Sequence, residues 1–131
     1  MSDPLFCELY IDTDEPLDEI EKAVDEACRA TFHDLKVEAI VYPNDNFDAS
    51  ARQQSPYHFI EASQYYVEVG IDGDPPEQVD DFQSGVASLV KELRAGGRFV
   101  TASCDFEEVV ADLTGWNWTK AQPEPPGRAR S

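Results

Sequence analysis

Glu8-Leu9-Tyr10-Ile11-Asp12-Thr13-Asp14-Glu15-Pro16 is echoed sixty residues later by Glu68-Val69-Gly70-Ile71-Asp72-Gly73-Asp74-Pro75-Pro76. Each stretch closes an alternating run, with Leu5, Cys7, Leu9 and Ile11 on one side in the first and Tyr65, Val67, Val69 and Ile71 in the second. A period of two is the mark of a half-buried strand. The acidic, proline-closed turn after each reads as a helix start. Asp14 or Glu15 would take the orphan N–H groups, and Pro16 suits the first helical position. Leu17, Ile20, Val24, Ala27 and Cys28 then fall on one helical stripe, and Val79, Phe82, Val86, Leu89, Val90 and Leu93 on another. Gly96-Gly97 stops the second.

Each helix leads into a further strand, Leu35 to Tyr42 ahead of Pro43 and Arg98 to Cys104. Two consecutive strand–helix–strand halves predict an α+β fold: a ferredoxin-like split βαβ (β-α-β-β-α-β) antiparallel sheet with two helices on one face. Residues 43 to 56 read as a polar connection, and Tyr57-His58-Phe59-Ile60 as an extended edge entering the third strand. After the fourth strand, Asp105-Phe106-Glu107-Glu108 has the spacing of a capping box. Phe106, Val109, Val110 and Leu113 make a short C-terminal helix, closed by Gly115 and followed by Trp116-Asn117-Trp118. The proline-rich composition from Lys120 predicts a disordered tail, so a single domain spans 1–119 and the tail 120–131.

The 131 residues carry 27 Asp plus Glu against 10 Lys plus Arg, a net charge of −17. With 41% hydrophobic and 11% aromatic residues the chain has the material for a core, which excludes a disordered acidic polymer. Such a charge excludes nucleic acid and anionic membrane as partners, since both demand a positive footprint. No apolar run approaches the ~18 residues of a membrane span, and no leader-like segment is visible. Cys7, Cys28 and Cys104 form no Cys-x-x-Cys pair and read as buried thiols in a reducing compartment. A cytoplasmic protein is expected.

Asp12-x-Asp14 and Asp72-x-Asp74 have the chemistry of hard-cation ligands. In a split βαβ sheet, however, the first and third strands are antiparallel neighbours, so the two pairs lie at opposite ends of the sheet. Helix capping accounts for both, and neither a metal nor another cofactor is expected. His33 and His58 lack a convincing nucleophile beside them, and no glycine-rich phosphate loop is present. No catalytic residue is assigned.

Two surfaces remain. Phe6, Tyr10, Ile40, Tyr42 and Tyr66 point away from the helices, among Glu8, Glu38 and Glu68. RNA-binding sheets stack bases on such aromatics, but carboxylates in place of Lys and Arg oppose RNA. The C-terminal segment covers this face, a homodimer buries it, or it is simply amphipathic. The second surface runs from Glu8 to Glu26, with nine carboxylates and one lysine. It reads as a solvated face, an adaptation to salt, or a binding face for a basic partner.

In its single-domain length, its acidic first helix from Asp14 to Glu26 and its aromatic, carboxylate-studded strands, the span 5 to 119 resembles the small acidic immunity proteins of bacterial polymorphic and contact-dependent toxin systems. That resemblance implies a non-enzymatic inhibitor that neutralises a cognate cationic toxin by direct contact. Asp12, Asp14, Glu15, Asp18, Glu19, Asp72 and Asp74 are the carboxylates expected to meet the partner's Lys and Arg. Tyr10, Tyr66, Trp116 and Trp118 are the expected anchors. The alternative is a small regulatory or assembly domain that homodimerises through its sheet.

Overall fold

In a computed structural model describing residues 3–73 and 75–127, the alternating runs become β1 (Phe6–Asp12), β2 (Val37–Pro43), β3 (Tyr65–Ile71) and β4 (Phe99–Ser103). The helices are α1 (Leu17–Thr31), α2 (Phe59–Ala62), α3 (Val79–Ala95) and α4 (Glu107–Thr114). The strands form one open antiparallel sheet in the order β2-β3-β1-β4, so the fold is α+β. Among the described residues no helix is long and apolar enough to cross a membrane.

The core lies on one face of the sheet. Cys7, Leu9 and Ile11 of β1, Val67 and Val69 of β3, and Val100 and Ala102 of β4 are buried there. Phe82, Val86, Leu89, Val90 and Leu93 of α3 pack onto them, joined by Ile20 and Val24 of α1. Each of the Val, Leu, Ile and Phe side chains among them contributes about 1.5–3 kcal/mol when removed from water. The central helix is therefore α3, whereas α1 keeps Leu17 36% exposed and turns its acidic side to solvent. Gly85 permits their close approach: a Cβ there would lie 2.3 Å from the Phe32 ring, which stacks on Phe82 at 6.1 Å. Phe106, just ahead of α4, meets Phe82 edge-on at 6.0 Å, so α4 packs on the helical side of the sheet.

The helix starts differ from the capping expectation. Pro16 is the N-cap of α1 and no side chain caps it. Asp14 and Glu15 are engaged instead by Arg52 and Arg98, whose charge-assisted bonds are stronger than a cap. The Asp105 box does not form either. Asp105 accepts the Asp3 N–H, and Glu107 accepts the Cys104 N–H at 3.0 Å.

The β2–β3 connection is more structured than its composition suggested. A 3-10 turn at Ala49–Gln53 precedes α2, so residues 57–60 do not form an extended edge. Asn44 fastens this insertion, donating its amide to Ile60 O at 2.6 Å and Ser63 O at 2.9 Å. Ala51, Tyr57 and Ala62 are buried in a second small core, with Phe59 and Trp118 against it. Part of the tail also makes contacts: Gln122 O accepts the Trp116 indole N–H, Glu124 accepts the Tyr57 N–H, and Pro125 is buried. Residues 128–131 lie outside the described residues.

Candidate functional site

The turn between β1 and α1 is held by two arginines from distant segments. Arg52, in the insertion, reaches Asp12 at 3.0 Å, Asp14, and the Thr13 carbonyl at 2.5 Å, with its guanidinium 5.0 Å from the Phe47 ring centroid. The Tyr57 hydroxyl donates to the other Asp12 oxygen at 3.0 Å. Arg98 grips Glu15 with both ends of its fork, at 2.5 and 2.8 Å. That grip holds the Glu15 carboxyl below the usual carboxylate range, with help from the Thr13 hydroxyl. Asp12 and Glu15 thus work as internal struts. Asp14 still exposes 93% of its side chain, and Asp18 and Glu19 lie open on α1.

The expected acidic set is therefore divided. Asp12 to Glu19 gather at one end of the sheet, where Ile11 pairs with Tyr65. Asp72 follows β3 at the opposite end, where Phe6 pairs with Gly70. Asp74 lies outside the described residues.

The two tryptophans part company. Trp116 is buried, with the Arg94 guanidinium 5.4 Å from its ring centroid. Arg94 donates to Val100 O at 2.8 Å and Trp116 O at 3.0 Å, and its burial lowers its pKa to about 10. Between the tryptophans, Asn117 accepts from Ala102 N and donates to Ala102 O, both at 2.9 Å. One side chain thereby stands in for a fifth strand and blunts the open edge of β4. Trp118 instead reaches the outer face, donating to Tyr57 O at 2.6 Å, with its ring 5.3 Å from Phe59.

The outer face is consequently covered on one side only. Tyr57 packs near Phe99, at 6.4 Å, and Phe59 meets Tyr10 edge-on at 5.3 Å. The insertion and Trp118, rather than α4, make this cover over β1 and β4. Beyond Tyr10 the face is open. The strand register aligns Tyr10, Tyr66 and Tyr42 in a row, with ring separations of 5.9 and 5.2 Å. The next row is Glu8, Glu68 and Ile40, the last 42% exposed. A shallow groove of about 260 Å³ follows, lined by Phe6, Glu38, Ile40, Glu68 and Gly70.

Glu8 stands directly opposite Glu68, an arrangement that costs stability in a sheet. Among the described residues no cation forms an ion pair with either. Partial burial, and then the Glu68 charge, push the Glu8 carboxyl up. Burial followed by Glu8 raises the Tyr10 hydroxyl, and burial followed by Glu68 raises that of Tyr42. Two carboxylates walled by aromatic rings suit a Lys ammonium or Arg guanidinium, through charge-assisted hydrogen bonds and cation–π contact.

Of the expected anchors, Tyr10 and Tyr66 stand in this row, Trp118 lies at its covered end, and Trp116 is elsewhere. Glu8, Glu68 and Tyr42 were visible as outward-facing residues but not as neighbours, because only the register aligns them. Arg52 and Asn117 carry no local signal of their roles. Comparison with protein-family models, curated proteins and solved structures gave no match to the chain.

Proposed function

We propose that the chain is a non-enzymatic binding protein that neutralises a basic protein partner by direct contact, in the manner of an immunity protein against a cognate bacterial toxin. The observation supporting this reading is the Glu8–Glu68 pair on the open half of the sheet. Like charges placed opposite each other and partly desolvated weaken the free fold, and a partner's Lys or Arg would offset that cost. Tyr10, Tyr66 and Tyr42 supply rigid contact area beside the charges. Asp14, Asp18 and Glu19 add a field that speeds encounter with a cationic surface. Asp12 and Glu15 contribute by holding the turn rather than by touching the partner.

The ferredoxin-like split βαβ arrangement belongs to the same reading: with α1 and α3 on one face, the half of the other face that the insertion and Trp118 leave open is free for recognition. Homodimerisation through this face is disfavoured. A second copy would set Glu8, Glu38 and Glu68 against an equally acidic surface. The test is to recover the cationic protein that co-purifies with the chain in its own host, then titrate it calorimetrically at several salt concentrations. A 1:1 complex that weakens as salt rises supports the proposal. A salt-independent affinity, or a free chain with twice its mass of 14.6 kDa, contradicts it.

A further inference from the structure

We propose that Cys7 and Cys104 form a redox modification site that closes a cross-strand disulfide when the chain meets a peroxide. The β1–β4 register pairs Glu8 with Ser103, which sets Cys7 opposite Cys104 one step further along. Both follow the inward parity of the Leu9–Ala102 and Ile11–Val100 pairs. The backbone of Ala102 is turned outward to Asn117, so this series occupies the non-hydrogen-bonded positions, where opposed Cα atoms come nearest. Their spacing of roughly 4.5 Å falls at the short end of the disulfide range. Cys104 lies just past the last residue of β4, so its backbone has room to adjust.

The two thiols differ in the way such a reaction needs. Cys7 is fully buried and its thiol donates to the Glu8 carbonyl at 3.5 Å; the neighbouring Cys104 sulfur and then burial push its pKa well up. Cys104 is partly exposed, and its pKa is lowered, chiefly by the neighbouring Cys7 thiol and also by the Phe106 backbone, against burial and the Glu107 and Asp105 charges. Cys104 is thus the sulfur that attacks a peroxide first. Cys28, on α1, is raised to about 11 by burial and the Asp25 charge, and stays outside the pair.

In the first step the Cys104 thiolate attacks one peroxide oxygen. The O–O bond breaks, and the departing hydroxide takes a proton to leave as water. In the second step the Cys7 sulfur attacks the resulting sulfenic sulfur. The S–O bond breaks, and a second water leaves with the Cys7 proton. Two thiols and one peroxide give one disulfide and two waters, with two electrons passing from sulfur to oxygen. The link ties β1, which carries Glu8 and Tyr10, to the turn between β4 and α4. This site does not depend on the binding reading.

The test treats the full chain with hydrogen peroxide and examines it without reductant. The expected product is lighter by two hydrogens, keeps one titratable thiol, and yields a joined peptide containing Cys7 and Cys104. Because the bridge closes a loop of about a hundred residues, its melting temperature should rise by at least about 5 °C, reversibly with dithiothreitol. A Cys28→Ser variant should behave alike, and Cys104→Ser should lose no hydrogens. Peptide mapping of the wild-type chain decides the matter even if the Cys104 variant folds poorly. Three surviving thiols, oxygen added at Cys104 without a link, or a bridge to Cys28 would overturn the proposal.

Discussion

Replacing Glu8 with Gln should stabilise the free protein, against the usual effect of altering a half-buried residue. Glu8 faces Glu68 across β1 and β3, and neither has an ion-pair partner among the described residues. Glutamine keeps the shape and removes one charge. Opposed like charges in a partly wet sheet face cost about 0.5–1 kcal/mol. An unfolding entropy of roughly 2 cal/mol/K per residue converts that into a melting temperature about 2–4 °C higher at neutral pH. The sign with pH follows from the raised Glu8 pKa. The folded carboxyl holds its proton more tightly than the unfolded one, so the wild type has its full stability from this group only below the unfolded value. It loses that stability as pH rises through the folded value. The advantage of the variant should therefore shrink on acidification and vanish below about pH 4. Calorimetric melts at low salt, neutral and acidic, measure both arms. A variant that melts at or below the wild-type temperature at neutral pH, or gains equally at both, refutes the reasoning.

Two further predictions concern the fixtures that shape the face. Asn117→Leu leaves the Ala102 N–H and carbonyl without their partners, and should cost about 2–3 kcal/mol and promote association along β4. Chemical denaturation and light scattering check this, and wild-type values in both would exclude the edge-blocking role. Arg52→Met releases Asp12, Asp14 and the Thr13 carbonyl at once, and should lower stability by about 2–3 kcal/mol, or roughly 7–11 °C in melting temperature. A shift within 1 °C, about the size expected of a surface pair, would show that the insertion is not clamped through this residue.

The strands and long helices were legible because their patterns are local. Leu5 to Ile11 and Tyr65 to Ile71 alternate as they are buried, and the Phe82-to-Leu93 stripe is the face of α3 that enters the core. The carboxylates around the β1–α1 turn misled because capping is the local explanation, whereas Arg52 and Arg98 arrive from far along the chain. Tyr57 to Ile60 is too short to show a period, and its packing is decided by Asn44, Trp118 and the sheet beneath. The candidate face was half legible. The outward direction of Glu8, Glu68, Tyr10, Tyr42 and Tyr66 follows from alternation, while their alignment follows from register. Cys7 and Cys104 show the same limit: nothing local links two residues that the β1–β4 register sets opposite each other.

On the proposed function, the open half of the sheet, rather than acidity in general, is the recognition surface. Its most direct measurement compares the affinity of the cationic partner for Glu68→Lys and for Glu21→Lys, which make the same charge change on the sheet and on α1. The expected result is a loss of at least about tenfold (1.4 kcal/mol) for Glu68→Lys and a much smaller, salt-screened loss for Glu21→Lys. Equal losses in the two variants, or an affinity for Glu68→Lys within about twofold of wild type, would contradict it.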